Sequence, residues 1–203
     1  MKIIKYTKKS NGKYQILLED NEKIDTYEDV ILKNNLLYKN KIDSDTYNKI
    51  IKDNDYEQNY IKCVKYISVR LRSINEMEKY LKNKQLDNDM IIKLIDKLKK
   101  DNLLDDNKFA YAFVHDKFSF TTMGPYRIKQ QLYQHNIDDL IIDQAVDSIS
   151  SDDIKAKIYK LIDKQVKTSK KKGFLLKNKI YNKLLNLGYQ SELILEKLND
   201  FEF

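Results

Sequence analysis

One apolar spacing occurs three times in this 203-residue chain, and nothing else in it restricts the fold as much. The first copy runs Met77, Leu81, Leu86, Ile91, Ile95 and Leu98. The second runs Ile128, Leu132, Ile137, Ile142, Val146 and Ile149. The third runs Ile180, Leu184, Tyr189, Ile194, Leu198 and Phe201. The steps are 4, 5, 5, 4 and 3 each time, and Leu81, Leu132 and Leu184 lie 51 and 52 residues apart. A fixed period of this size marks a tandem-repeat architecture.

Steps of three and four place apolar residues on one helical face, so each copy reads as two helices. The steps of five span the turn between them. In the first copy Leu86 precedes Asp87, a helix cap, and Ile91 lies on the next helix's first turn. An apolar residue before the cap packing on one a turn later is a hydrophobic staple. Ile137, Asp138 and Ile142 repeat it. Tyr189 and Ile194 keep the staple, with Gln190 or Ser191 as cap, and Gly188 suits a left-handed helix end. A third helix is expected ahead of each pair. Its stripes are Tyr60, Cys63, Val64, Ile67 and Leu71; then Phe109, Ala110, Phe113, Val114 and Phe118, capped by Asp105 or Asp106; then Ile154, Ile158, Leu161, Ile162 and Val166, capped by Ser150 or Ser151.

Residues 1–26 read differently. Ile4 and Tyr6 alternate with lysines, Asn11-Gly12 is a two-residue hairpin signal, and Tyr14, Ile16 and Leu18 alternate beyond it. Asp20-Asn21 is a second turn, and Lys23–Thr26 a third short strand. So small a meander must pack on a helix. Two short helices follow, one over Tyr27–Asn34 and one from Asp43 or Ser44 through Ile51, and Asp53-Asn54-Asp55 breaks the pattern. A long helix then runs from Tyr56 to Arg72. The fold expected is mainly α: three tandem three-helix repeats (55–104, 105–150 and 151–203) forming an elongated curved array, preceded by a small N-terminal α+β domain (1–54) with a β-hairpin or meander. One Pro and four Gly agree with helices. With no run of about 18 apolar residues, no transmembrane helix is expected. The N-terminus lacks a secretory pattern, so a cytoplasmic monomer without membrane contact is the expectation.

The residues argue against an enzyme. His115 and His135 are the only histidines and match no metal-ligand spacing. Asp105-Asp106 and Ser151-Asp152-Asp153 sit where helix caps belong. Cys63 lies within an apolar stripe and reads as core. No glycine-rich phosphate loop is present, and neither cofactor nor metal is expected. The net charge of +7 suits nucleic acid or an acidic surface, although Lys, Asn, Ile and Tyr richness also follows from AT-rich coding. Basic residues are spread along the chain rather than gathered in one tail. Lysine predominates, yet Arg70 and Arg72 bracket the end of the first long helix and Arg127 opens the corresponding helix of the second repeat. Lys129 follows it, and Lys177 and Lys179 match in the third. Planar, bidentate contact with phosphate or carboxylate explains such arginines, as does a salt bridge between repeats. Lys167–Lys172 holds four lysines and reads as a solvated helix end or a nucleic-acid contact. Most of the 15 tyrosines have core spacing, and those exposed beside Lys suit stacking on unpaired bases. Phe118, Phe120 and Met123 are irregular and precede Gly124-Pro125, in a loop expected to be exposed or mobile.

Several motifs resemble the RecX family, bacterial regulators of the RecA recombinase. The family's Arg-x-Arg-Ser-x-x-Glu-Leu reads here Arg70-Leu71-Arg72-Ser73-Ile74-Asn75-Glu76-Met77. Its Asp-Asp-x-x-Phe-Ala reads Asp105-Asp106-Asn107-Lys108-Phe109-Ala110. Its Gly-x-x-x-Ile-x-x-Glu-Leu reads Gly124 to Leu132, with Gln131 in place of Glu, and His135-Asn136-Ile137 stands for Lys-Gly-Ile. The match covers Tyr56–Asn199, and the N-terminal strands with Tyr27–Lys52 look like the extension of Gram-positive members. The resemblance implies a non-enzymatic modulator that lies in the groove of the RecA–DNA filament and restrains ATP hydrolysis and strand exchange. Its partners would be RecA and the single-stranded DNA within the filament, and its contacts Arg70, Arg72, Arg127 and Lys129. Asp105, Asp106 and Phe109 would be structural. A helical-repeat protein binding nucleic acid directly is the alternative.

Overall fold

The computed structural model describes residues 1–10, 12–170 and 172–203. It is mainly helical, with one small antiparallel sheet at the N-terminus. Contacts divide the chain into two compact units. One is Met1–Arg70 with Leu81–Leu103, and the other is Leu71–Tyr80 with Leu104–Phe203.

In the first unit, β1 (Ile3–Lys8), β2 (Tyr14–Leu18) and β3 (Lys23–Thr26) form the meander in the order β1-β2-β3. Gly12 has φ of +80° and Asn21 of +64°, as the two turns require; Asn11, the other half of the hairpin signal, lies outside the described residues. Ile16 and Leu18 are fully buried, but Ile4 is 56% exposed. The register between β1 and β2 shifts between Ile3 and Lys5, and this bulge turns Ile3, not Ile4, onto the face that Tyr6 shares. The sheet packs on α1 (Glu28–Lys33), on a 3-10 turn at Leu36–Tyr38 and on the start of α2 (Ser44–Val69) around Val30, Ile31, Leu36 and Ile50.

The break expected at Asp53–Asp55 does not occur, because α2 runs through it for 26 residues. These residues disfavour helix when their side chains compete for the backbone. Here the side chains are engaged elsewhere. Asn54 accepts from the buried Thr26 hydroxyl (2.8 Å) and donates to the Asp25 carbonyl (3.1 Å), and Asp53 accepts from Lys33 and Asn34. The helix also stops earlier than Arg72. Arg70 is already extended, with φ of −164°. Further along α2, Tyr60 donates to Asp101 (2.5 Å), at the end of α4 (Asn88–Lys100). Asp87 caps α4 by accepting from the Met90 amide.

In the second unit the Ser73 hydroxyl accepts from the Glu76 amide at the start of α3 (Ile74–Asn83), and Asp106 accepts from the Ile74 amide (2.8 Å). Helices α5 (Asp106–Phe120), α6 (Pro125–Tyr133) and α7 (Asp139–Asp147) close over Phe109, Val114, Ile128, Leu132 and Ile142. Helices α8 (Ser151–Thr168), α9 (Gly173–Asn186) and α10 (Ser191–Leu198) close over Ile158, Ile162, Leu176, Ile180, Leu184 and Ile194. Asp105, Asp138 and Ser150 are the caps, whereas Gln190 stands at the cap position of α10 without a side-chain bond. In all three copies the residue before the staple is left-handed: Gln85 (φ 59°), Asn136 (54°) and Gly188 (90°).

Only the last of these has to be glycine. A Cβ on Gly188 would lie 2.5 Å from the Arg127 amide nitrogen, and one on Gly124 would lie 2.5 Å from the Gly188 carbonyl oxygen. The end of α9 is thus pressed against the beginning of α6. A helix end leaves its last carbonyls without partners. Three of them are satisfied here in order: Asn186 accepts from the Arg127 guanidinium (3.0 Å), Leu187 from the Gly124 amide (2.7 Å) and Gly188 from the Tyr126 amide (3.1 Å). The negative end of one helix meets the positive end of another, which favours the junction further.

Candidate nucleic-acid interface

The six expected contact residues are carried by several different elements of the two units. Arg70 is exposed at the end of α2, and Arg72 is half-buried ahead of α3. On α6, Arg127 is exposed while its guanidinium binds the Asn186 carbonyl, and Lys129 pairs with Asp143 on α7. That bond to Asp143 raises the Lys129 pKa. On α9, Lys177 is 3.4 Å from the Asn199 side-chain oxygen and lies over the Phe203 ring, whereas Lys179 is exposed. Residues two apart on a helix are rotated by about 200°. Neither Arg127 with Lys129 nor Lys177 with Lys179 therefore shares a face.

Of the other groups singled out, His135 and Cys63 are engaged in the packing and His115 is not. His135 lies beside Glu76 (3.5 Å) and against the Phe109 and Phe113 rings, with centroids 4.9 and 5.3 Å away. His115 is on the surface beside Asp116. Cys63 is fully buried, and burial pushes its thiol up to about 11. Among the described residues no group of three or more His, Cys, Asp or Glu is placed to hold a metal. Among the described residues no helix is long and apolar enough to cross a membrane.

Basic character is in fact concentrated. Residues 154–191 contain eleven lysines and a single acid, Asp163, so they carry +10 and the rest of the chain −3. A count over the whole chain hides this, because lysines elsewhere are matched by nearby aspartates. A running charge balance along the sequence reveals it, whereas the few arginines lie elsewhere. The segment comprises most of α8, the whole of α9 and the stretch between them, in which Lys171 of the expected Lys167–Lys172 cluster lies outside the described residues. Lys155 pairs with Glu196, and Lys167 with Asp163. Among the described residues Lys160, Lys164, Lys170, Lys172, Lys179 and Lys183 are exposed and have no carboxylate within ion-pair distance. Solvated, unpaired ammonium groups on one helical hairpin make a surface for a polyanion.

Comparison with known proteins gives a consistent result. The model of the second three-helix domain of RecX matches residues 105–146. The regulatory protein RecX of Lactococcus lactis subsp. lactis is 35% identical over 187 residues, covering 89% of this chain and 69% of that protein. That of Halalkalibacterium halodurans is 29% identical over 203 residues, covering 97% of this chain and 76% of the other. A crystal structure of regulatory protein RecX superposes with a TM-score of 0.83 over 98% of this chain and 99% of that one, at 22% identity. The crystal structure of RecX from Lactobacillus salivarius superposes with a TM-score of 0.68 at 26% identity, over 72% of this chain and 96% of the other.

Proposed function

The chain belongs to the RecX family of regulatory proteins, and from that premise we propose that it is a non-enzymatic regulator of the RecA recombinase. It binds the RecA–DNA filament along its groove and restrains ATP hydrolysis and strand exchange, acting as a cytoplasmic monomer in recombination and repair. The observation that carries this reading beyond kinship is the +10 charge of residues 154–191, where Lys160, Lys164, Lys170, Lys172, Lys179 and Lys183 are exposed on a helical scaffold. A filament of nucleoprotein offers repeated acidic sites, and contacts from successive units add through effective concentration. In this reading 1–54, 55–104, 105–150 and 151–203 are the building units, and Arg70, Arg72, Lys177 and Lys179 face the filament or its DNA. Arg127 and Lys129 are exposed enough to join them, but each is bonded within the fold, so their substitution also perturbs α9 or α7.

The test is DNA-dependent ATP hydrolysis by the cognate RecA, titrated with this protein. Suppression at substoichiometric ratios is expected. Unchanged hydrolysis across the titration, with tight binding to bare DNA, would reject the regulator and leave a direct nucleic-acid binder.

A further inference from the structure

Helix α9 begins earlier than its counterparts. It starts at Gly173, seven residues before Ile180, whereas α6 starts three residues before Ile128 and α3 three before Met77. The added turn carries Phe174 and Leu175, which are 74% and 68% exposed. Neither joins the core, which takes Leu176, Ile180 and Leu184. Opposite that core face, at about 100° per residue, Phe174, Asn178, Tyr181, Asn182 and Leu185 form one stripe roughly 16 Å long. All are exposed except Tyr181, which is half-buried, its hydroxyl hydrogen-bonded to that of Ser191 (2.8 Å). The surrounding segment carries +10, yet this stripe has no charge, and Lys177, Lys179 and Lys183 stand to either side of it.

From either end the stripe runs apolar, amide, amide, apolar. An amide both donates and accepts, so two such stripes laid antiparallel complement each other. Phe174 then meets Leu185, and Asn178 meets Asn182. Leu185 borders a hollow of about 530 Å³, together with Pro125 and Asp147. An adjoining hollow of about 340 Å³ shares Pro125 and Asp147 and adds Ile149 and Leu193. Such a site suits an aromatic anchor. Phe174 of the same molecule lies three helical turns away and does not reach it. Charge favours the same arrangement. Lys170 and Lys172, next to Phe174, are exposed, whereas Asp147 lines both hollows and residues 104–153 hold nine acids to four bases.

We propose that α9 pairs with the α9 of a second copy, antiparallel about a two-fold axis near Lys179 and Ile180, with Phe174 of each copy in the hollow beside Leu185 of the other. A two-fold contact is closed, so association stops at the dimer. One helix face of this length makes a small interface, and dilute protein stays monomeric. A lipid surface is disfavoured because the amides at the middle of the stripe would lose their partners in hydrocarbon. A polyanion is disfavoured because the stripe has no cation. On a recombinase filament neighbouring copies would meet at high effective concentration, and this consequence alone rests on the function proposed above.

Sedimentation equilibrium of the full-length protein, without DNA or recombinase, tests the pairing. The mass should rise from one chain to two, and no further, as the concentration approaches about 1 mM, a range that reaches millimolar contacts. Phe174→Ser and Leu185→Lys, both at exposed positions outside the core, should each weaken pairing roughly tenfold or more. Circular dichroism checks their fold. On oxidation Asn178→Cys should give a disulfide-linked dimer, because residue 178 lies close to its own copy across the axis. Asn186→Cys, off the stripe and near the helix end, should not. The buried Cys63 gives both the same background. The proposal is overturned if the wild type stays a single chain throughout, if assembly continues beyond two, if both variants pair like the wild type, or if Asn186→Cys cross-links as readily as Asn178→Cys. Binding to phosphatidylserine vesicles that Phe174→Ser abolishes, with no dimer, would give the stripe to a membrane and overturn it too. Recombinase hydrolysis enters none of these measurements, so the regulator and the pairing fail separately.

Discussion

Burial makes Cys63 a poor nucleophile. With its thiol pushed up to about 11, little thiolate exists near neutrality. A disulfide reagent at pH 8 should react with the folded protein roughly a hundredfold or more slowly than with the unfolded chain. Equal rates would remove Cys63 from the core. Asp101 titrates in the opposite sense. The Tyr60 hydroxyl, and after it Lys97, hold its carboxyl below the usual carboxylate range. A depressed carboxylate contributes stability that is complete above its unfolded pKa, about 3.9, and lost as pH falls through the folded value. Tyr60→Phe should therefore move the Asp101 resonance midpoint upward in an NMR titration and make the loss of stability below about pH 4 shallower. An unmoved midpoint would refute the bond. Local partners were legible in the chain, distant ones were not. The caps at Asp87, Asp105 and Asp138 bind amides two or three residues ahead, so spacing alone suggests them. The carbonyl that Arg127 binds is 59 residues away, and no local pattern points to it.

At the level of helices and strands, apolar periodicity carried most of the information. It located the helices of all three repeats, but it misjudged the places where side-chain bonds override local preference. Asn54 is one. Helix propensity alone predicts that Asn54→Ala stabilises α2. The substitution instead leaves the fully buried Thr26 hydroxyl without its acceptor and should destabilise by about 1–2 kcal/mol in urea denaturation. A gain in stability would show that the bond contributes nothing. The bulge in β1 is misjudged for a different reason: one extra residue exchanges the two faces of a strand without changing its composition. Gly188→Ala addresses the junction of α6 and α9. Its backbone is left-handed, and its Cβ would meet the Arg127 backbone, so a loss of about 2 kcal/mol or more is expected. Amide exchange at Gly124 and Tyr126 should accelerate with it, since both donate to the end of α9. Unchanged protection there would separate the glycine from the junction.

Across the whole chain, the net charge of +7 conceals a segment at +10 and a remainder at −3. Polyanion binding through the segment releases counterions, so suppression of recombinase hydrolysis should require more protein at 200 mM than at 50 mM salt. Insensitivity to salt would indicate that apolar contacts dominate. The same chain is also a lesson in how copies cease to be equivalent. By the repeat spacing, Ser73 stands in the first copy where Gly124 stands in the second, and Asn136 in the second where Gly188 stands in the third. The glycine-to-glycine seam exists at one junction only. A first copy grafted in place of the second would drive the Ser73 side chain into a backbone carbonyl that leaves no room for even a methyl group. What began as a repeated unit has become an ordered set of unlike parts. Its members cannot be shuffled, and the array cannot be lengthened by one more duplication unless both faces of the new joint change together.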